Sequence, residues 1–159
     1  MARDPIPTWF FAVVVVRRAD RFLLVRERTH GQLWYLPAGR AEFGETLQAA
    51  ACRETMEEAG VAITLTGVLR IEHSLIVGGA RIRAIFIGEP ADDRPPKSEA
   101  DSESMGAEWV SIDELGNYPL RGPEVEALLR YVASGAPVYP LGLLASEWTP
   151  LVQTQQPER

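Results

Sequence analysis

The chain has 159 residues, 46% of them apolar, a formal net charge of −6 and a single cysteine, Cys52. That length and apolar content suit one domain with a real core, and the acidic balance argues against a large nucleic-acid partner or a polybasic membrane patch. A lone cysteine excludes an intrachain disulfide and a cysteine-based zinc cluster, which fits a reducing, cytoplasmic setting.

The opening MARDPIPTW lacks the ordered regions of a signal peptide. WFFAVVVV, residues 9–16, is a continuous β-branched and aromatic run, read as a strand buried on both faces and far too short to span a membrane. RFLLVRE (21–27) is a second strand, RTHGQ (28–32) a loop, and WYLP (34–37) a short strand closed by proline. Thr46 suits the N-cap of a helix over residues 47–59, and Gly60 its stop. Residues 61–75 read as extended, GGAR (78–81) as a turn and RIRAIFIG (81–88) as a strong strand. EPADDRPPKSEADSES (89–104) is acidic and proline-bearing, and is expected to be a long, mobile loop. EWVSI (108–112) is a short strand. Pro123 opens a helix with an apolar stripe at Val125, Leu128, Leu129 and Val132. The division expected is one domain over residues 1–135 and a tail over 136–159, packed on the domain or on a partner chain and fraying after Val152. Mixed strands with helices before and after imply an α/β fold.

The helix at 47–59 poses a problem of charge. Glu54, Glu57 and Glu58 fall within about a third of its circumference, with Ala49, Cys52, Thr55, Met56 and Ala59 expected on a buried opposite face. Glu54 and Glu58 repel at a four-residue spacing, and Glu57 and Glu58 sit where the helix dipole disfavours anions. A solvated face is the commoner fate of such a triplet. Its alternative is a hard divalent cation, which takes oxygen ligands and combines carboxylates with substrate phosphates. Arg53 can pair with Glu57 one turn on.

The stretch Gly39-x5-Glu45-x7-Arg53-Glu54-Thr55-x-Glu57-Glu58-x-Gly60-Val61 resembles the Nudix box of the MutT-like Nudix hydrolases, matching all seven fixed positions. A chance match is on the order of 10⁻⁸ per window. Thr55 stands where the family prefers an aliphatic residue, and Ala38 where many members carry glycine. The resemblance covers roughly residues 8–132. It implies an α/β/α sandwich with a mixed sheet and hydrolysis of a diphosphate linkage in a nucleoside diphosphate derivative, with Mg²⁺ or Mn²⁺. Carried onto this chain, it makes Glu54, Glu57, Glu58 and the Ala38 carbonyl metal ligands. Glu45 and Arg53 become residues that orient the carboxylates. A late-loop acid is expected at Glu103, six residues before Trp109, with Glu99 as competitor.

Other residues are open to two readings. Arg26, Arg28 and Arg40 surround the loop facing the box and suit substrate phosphate, although surface arginines are common. Arg81 and Arg83 share one strand face, either a solvated edge or a substrate wall. Trp34 and Tyr35 suit base stacking or core. His30 and His73 lack zinc spacing, and Cys52 reads as inert packing. The substrate is expected to be a small nucleotide. WYLPAGR resembles a branch acting on oxidised purine nucleoside diphosphates, while marks of the ADP-ribose, diadenosine-polyphosphate and coenzyme A branches are missing. ADP-ribose or nucleotide-sugar hydrolysis, a non-catalytic Nudix-fold module and assembly as a homodimer stay open.

Overall fold

The computed structural model describes residues 3–151. Its frame is β1 (Thr8–Arg18), whose Val13 to Val16 are each no more than 2% exposed, so the strand is covered on both faces as its unbroken apolar run requires. β1 pairs in parallel with β6 (Gly79–Pro90), which pairs antiparallel with β5 (Ile63–Ile76). On its other side β1 forks. It meets β2 (Arg21–Glu27) only at Arg17 and Arg18, and meets the short β4 (Ala38–Arg40) along Phe11 to Val13. β2 continues the second branch, pairing with β3 (Trp34–Tyr35) and β7 (Ser104–Ser111). Among the described residues this is a mixed seven-stranded sheet.

Two helices cover its faces. α1 (Leu47–Ala59) packs through Ala50, Ala51 and Ala59 on the side of Ala12, Val14, Val16 and Phe86. α2 (Pro123–Ala133) packs Val125, Leu128, Leu129 and Val132 on the side of Val13, Val15, Leu24 and Ile85. The expected α/β sandwich is therefore present, and its cleft lies where β1 and β2 part.

α1 begins and ends where the sequence placed it. The Thr46 side chain accepts from the Ala49 amide at 3.1 Å, and Gly60 closes the helix in the left-handed region, φ 69°. Its buried face is rotated from the expected one. Ala50, Ala51, Thr55 and Ala59 are buried, whereas Ala49 and Met56 are exposed and Cys52 is half-buried. The reason is close packing: the sheet admits alanine-sized residues, and Thr55 fits because its hydroxyl donates to the Ala51 carbonyl at 2.8 Å. Glu54 and Glu58, one turn and two turns beyond Ala50, are thereby drawn towards the sheet.

Three further boundaries differ. The turn expected at 78–81 is shorter, since β6 resumes at Gly79. β4 follows Pro37 as a separate strand, tied by the Val14 amide donating to the Pro37 carbonyl at 2.9 Å. β7 starts at Ser104, four residues before the apolar EWVSI, because pairing with β2 supplies order that local hydrophobicity does not. The tail lies back on the domain as far as Leu144. Tyr139 and Val68 exchange both backbone hydrogen bonds at 2.8 Å, and the Gln48 amide donates to the Leu144 carbonyl at 2.8 Å. The expected fraying after Val152 falls outside the described residues. Among the described residues no helix is long and apolar enough to cross a membrane.

Candidate active site

Arg53 organises the acidic face of α1. Its Nε and Nη2 donate to the two oxygens of Glu45 at 2.8 and 2.9 Å, a bidentate pair. Its Nη1 donates to Glu54 and to Glu57, each at 2.9 Å, and Nη2 also donates to the Arg40 carbonyl on β4 at 3.1 Å. One guanidinium thus joins three acids and a strand. Hydrogen bonding from Arg53, then from the Glu42 amide, holds the Glu45 carboxyl below its ordinary range. The same bonds push Arg53 further into its charged form.

The inner acids are in a different state. Burial, opposed by Arg53, pushes Glu54 up. Glu58 is pushed up to about 8, chiefly by burial and then by the nearby charges of Glu54, Glu27 and Glu103, while a hydrogen bond from the Ala38 amide at 3.0 Å opposes the rise. Gly39 makes this crowding possible. A Cβ at that position would fall 1.9 Å from the Glu54 carboxyl carbon, so any side chain there displaces the carboxylate.

The late loop answers the dipole problem. The last carbonyls of a helix have no partner within it. Here Lys97 Nζ donates to the Glu57 carbonyl, the Ser104 hydroxyl to the Glu58 carbonyl at 2.6 Å, and the Lys97 amide to the Ala59 carbonyl at 2.8 Å. A cation and two neutral donors therefore cap an acidic helix end. Lys97 also holds Asp101 at 2.6 Å, and Asp101 accepts from the Glu103 amide at 2.8 Å. The segment expected to be mobile is anchored at several points, and that anchoring sets Glu103 near Glu58. Glu99 is exposed, with no role in this network.

A cavity of about 430 Å³ opens beside Glu58, Ala38 and Gly39. Its arginines are Arg81, Arg83 and Arg121, so Arg81 and Arg83 line this cavity. Arg26, Arg28 and Arg40, the arginines expected to meet phosphate, lie outside this cavity. Arg26 reaches Gln32 at 3.4 Å, and Arg28 donates to the Asp101 carbonyl at 2.6 Å. Arg40 lines a separate cleft with Phe10 and Phe43. Tyr35 is 5% exposed, with its hydroxyl accepting from Arg83 at 3.1 Å, and Trp34 packs edge-on against Tyr118. Glu27 was missed. It follows Leu23 and Val25 at alternate positions, both buried, and a charge in line with a buried row was the available signal.

The donor set is all oxygen and suits a hard divalent ion such as Mg²⁺ or Mn²⁺, with Glu54, Glu57 and Glu58 as the residues to hold it. As placed, these carboxylates point to other donors: Glu54 and Glu57 to Arg53, Glu58 to the Ala38 amide. Among the described residues no three acidic, imidazole or thiol groups form a ready-made cage.

A family model described as the NUDIX domain matches residues 9–132. The human "8-oxo-dGDP phosphatase NUDT18" is 36% identical over 123 residues, 76% of this chain and 37% of that protein. "Phosphatase NudJ" of Escherichia coli K12 is 32% identical over 132 residues, 82% of this chain and 86% of that protein. Among solved structures, a NUDIX hydrolase from Nitrosomonas europaea superposes with a TM-score of 0.74 at 28% identity, covering 88% of this chain and 97% of that one. The chain spans about a third of the length of the mouse and human NUDT18 proteins it matches, 34% and 37%.

Proposed function

The chain belongs to the Nudix family, and from that premise we propose that it hydrolyses a diphosphate linkage in a nucleoside diphosphate derivative, with Mg²⁺ or Mn²⁺. The observation that supports this most is the Arg53 network, which holds Glu45, Glu54 and Glu57 together beside the half-buried Glu58 at the mouth of a cavity. When bound, a divalent ion supplies positive charge for the diphosphate and acidifies the attacking water. Glu54, Glu57, Glu58 and the Ala38 carbonyl hold the ion on this reading. Glu45 acts through Arg53, keeping the guanidinium aligned so that Glu54 and Glu57 stay on the face of α1 nearest β4. Glu103 is the proposed proton acceptor from water, because it lies near Glu58 on an anchored loop. Arg26 and Arg28 serve the outer phosphate approach, and Arg40 holds β4 against Arg53 through its carbonyl. Residues 1–135 form the hydrolase domain on this reading, with residues 136–159 as its tail; Tyr139 and Leu144 of that tail bond to β5 and α1.

An oxidised purine nucleotide is the proposed substrate. WYLPAGR supports it, as does likeness to a protein named for 8-oxo-dGDP. The test is a phosphate-release screen over dGDP, 8-oxo-dGDP, dGTP, ADP-ribose and nucleotide sugars with Mg²⁺ or Mn²⁺. Hydrolysis of the purine diphosphates is expected, abolished by chelator and restored by either metal. Hydrolysis that persists in chelator contradicts the mechanism.

A further inference from the structure

The register between β2 and β7 slips once. Arg26 faces Gly106 and Glu27 faces Ser104, so Met105 is an extra residue on β7. A bulge of this kind bends its strand and re-aims the side chains around it. Gly106 permits it, with φ 130° and the Lys97 carbonyl 3.2 Å from where a Cβ would stand. The Gly106 amide donates to the Ser104 hydroxyl at 3.2 Å, and that hydroxyl donates to the Glu58 carbonyl at 2.6 Å. Glu103 stands directly before this strand, which is tied to the end of α1.

Glu103 has no burial of its own to hold it, since Asp101, Ser102 and Glu103 are all exposed. Asp101 holds the backbone there instead. Its Oδ1 accepts from the Glu103 amide at 2.8 Å and the Ser104 amide at 3.1 Å, and its Oδ2 accepts from Lys97 Nζ at 2.6 Å. Its own amide donates to the Ser104 carbonyl at 3.0 Å, and its carbonyl accepts from Arg28 at 2.6 Å. Both carboxyl oxygens and both backbone groups of one residue are thus engaged. Lys97 carries the connection onward. Its Nζ also donates to the Glu57 carbonyl and its amide to the Ala59 carbonyl, in the turn of α1 that bears Glu57 and Glu58.

An exposed aspartate that bonds the amides following it ordinarily shapes a turn and no more. Here the amide it holds is that of the proposed proton acceptor, and its other partner is fixed to the helix end that bears two proposed ligands. A proton acceptor must stay within hydrogen-bond reach of its water, and a displacement of about 1 Å can cost about a hundredfold in rate. We propose that Asp101 is a positioning residue, which keeps the Glu103 carboxylate aligned with the acids of α1 through the Glu103 and Ser104 amides and Lys97. It acts through Glu103 alone. This rests on the reading of the chain as a metal-dependent hydrolase with Glu103 as proton acceptor.

The experiment compares Asp101→Ala, Asp101→Asn, Glu103→Gln and the double variant of Asp101→Ala with Glu103→Gln, in steady-state hydrolysis of a purine nucleoside diphosphate with Mn²⁺. Asp101→Ala should lower kcat at least about tenfold and change KM less than about twofold. Asp101→Asn keeps an oxygen for the two amides, so its kcat should stay within about threefold of the unaltered protein. Added to Glu103→Gln, Asp101→Ala should cost less than about twofold more, because the group it positions is already gone. Equal losses in Asp101→Ala and Asp101→Asn, or a further loss of about tenfold in the double variant, overturn the proposal.

Mn²⁺ binding and amide hydrogen exchange need no turnover. In Asp101→Ala, calorimetric Mn²⁺ affinity should hold within about twofold, since the carboxylates of α1 are untouched. Exchange should quicken at least about tenfold at the Glu103 and Ser104 amides and stay unchanged along α1. Lost Mn²⁺ binding, or faster exchange throughout α1, would mark a general loosening and overturn the proposal. Normal turnover in Asp101→Ala would overturn it too and leave the hydrolase reading standing. An unaltered protein that hydrolyses no nucleotide would sink that reading, while exchange at Glu103 would still decide whether Asp101 holds it.

Discussion

The two helices cover opposite faces of one sheet by different means. α2 is held by bulk: Val125 and Leu129 are fully buried, and Leu128 and Val132 nearly so. α1 is held by closeness. Its buried residues are three alanines and a threonine, with Leu47 packed at the edge of the same core, and ionic and hydrogen bonds tie down its other face. A helix that buries little side-chain volume gains little from the hydrophobic effect, but it can sit near enough to β4 for Glu54 to touch Gly39 and for Glu58 to reach the Ala38 amide. The difference separates a helix placed for stability from one placed for chemistry, and it can be tested on both sides.

Leu129→Ala should give the largest effect, a loss of about 2–5 kcal/mol of stability from the fully buried α2 stripe, with turnover per folded molecule retained. Denaturant melts read in parallel with initial rates check it; a specific loss of turnover would show that α2 serves the site as well. Glu57→Gln should do the converse. Turnover should fall at least about a hundredfold while the melting temperature barely moves, because Glu57 is half-exposed and its one ion pair is with the already triply bonded Arg53. Near-normal turnover at saturating Mg²⁺ would remove Glu57 from the metal ligands.

Gly39→Ala probes the close approach itself. Its methyl group lands on the Glu54 carboxyl group, so turnover should fall by about tenfold and apparent metal affinity should drop with it, to be read by metal titration of the rate. Unchanged metal dependence would mean that the Glu54 position is not what the glycine protects.

Lys97→Met removes the cation at the α1 terminus and should cost about 1 kcal/mol in a denaturant melt. This loss should depend on pH. Lys97, followed by the amides of Glu103 and Ser104, holds the Asp101 carboxyl down to about 2 from its ordinary 3.8. A lowered folded-state value means stability that is present above 3.8 and lost as pH falls through about 2. The gap between the unaltered protein and Lys97→Met should therefore shrink between those two pH values. A gap that holds constant across that window would show that the Lys97–Asp101 pair does not steady the loop.

What the sequence by itself determined was local. The span and caps of α1, the buried run of β1 and the pairing of Arg53 with Glu57 follow from spacing along a few turns of chain, where periodicity and capping chemistry act directly. The rotation of α1 was not legible, because alanine and methionine carry nearly the same helical preference and only the sheet decides which of Ala49, Ala50 and Met56 it will admit. Nor could the sequence choose between the arginine sets. Arg26, Arg28 and Arg40 lie close to the box in the chain, but Arg81, Arg83 and Arg121 reach the cavity because β6 pairs in parallel with β1 and the loop before α2 folds over β3. Glu103 stands out in the sequence only by its spacing from Trp109; its setting near Glu58 comes from Lys97 and Ser104 closing the end of a helix some forty residues earlier in the chain. Contacts of that range depend on which surfaces bury each other, and one stretch of sequence carries only one side of each.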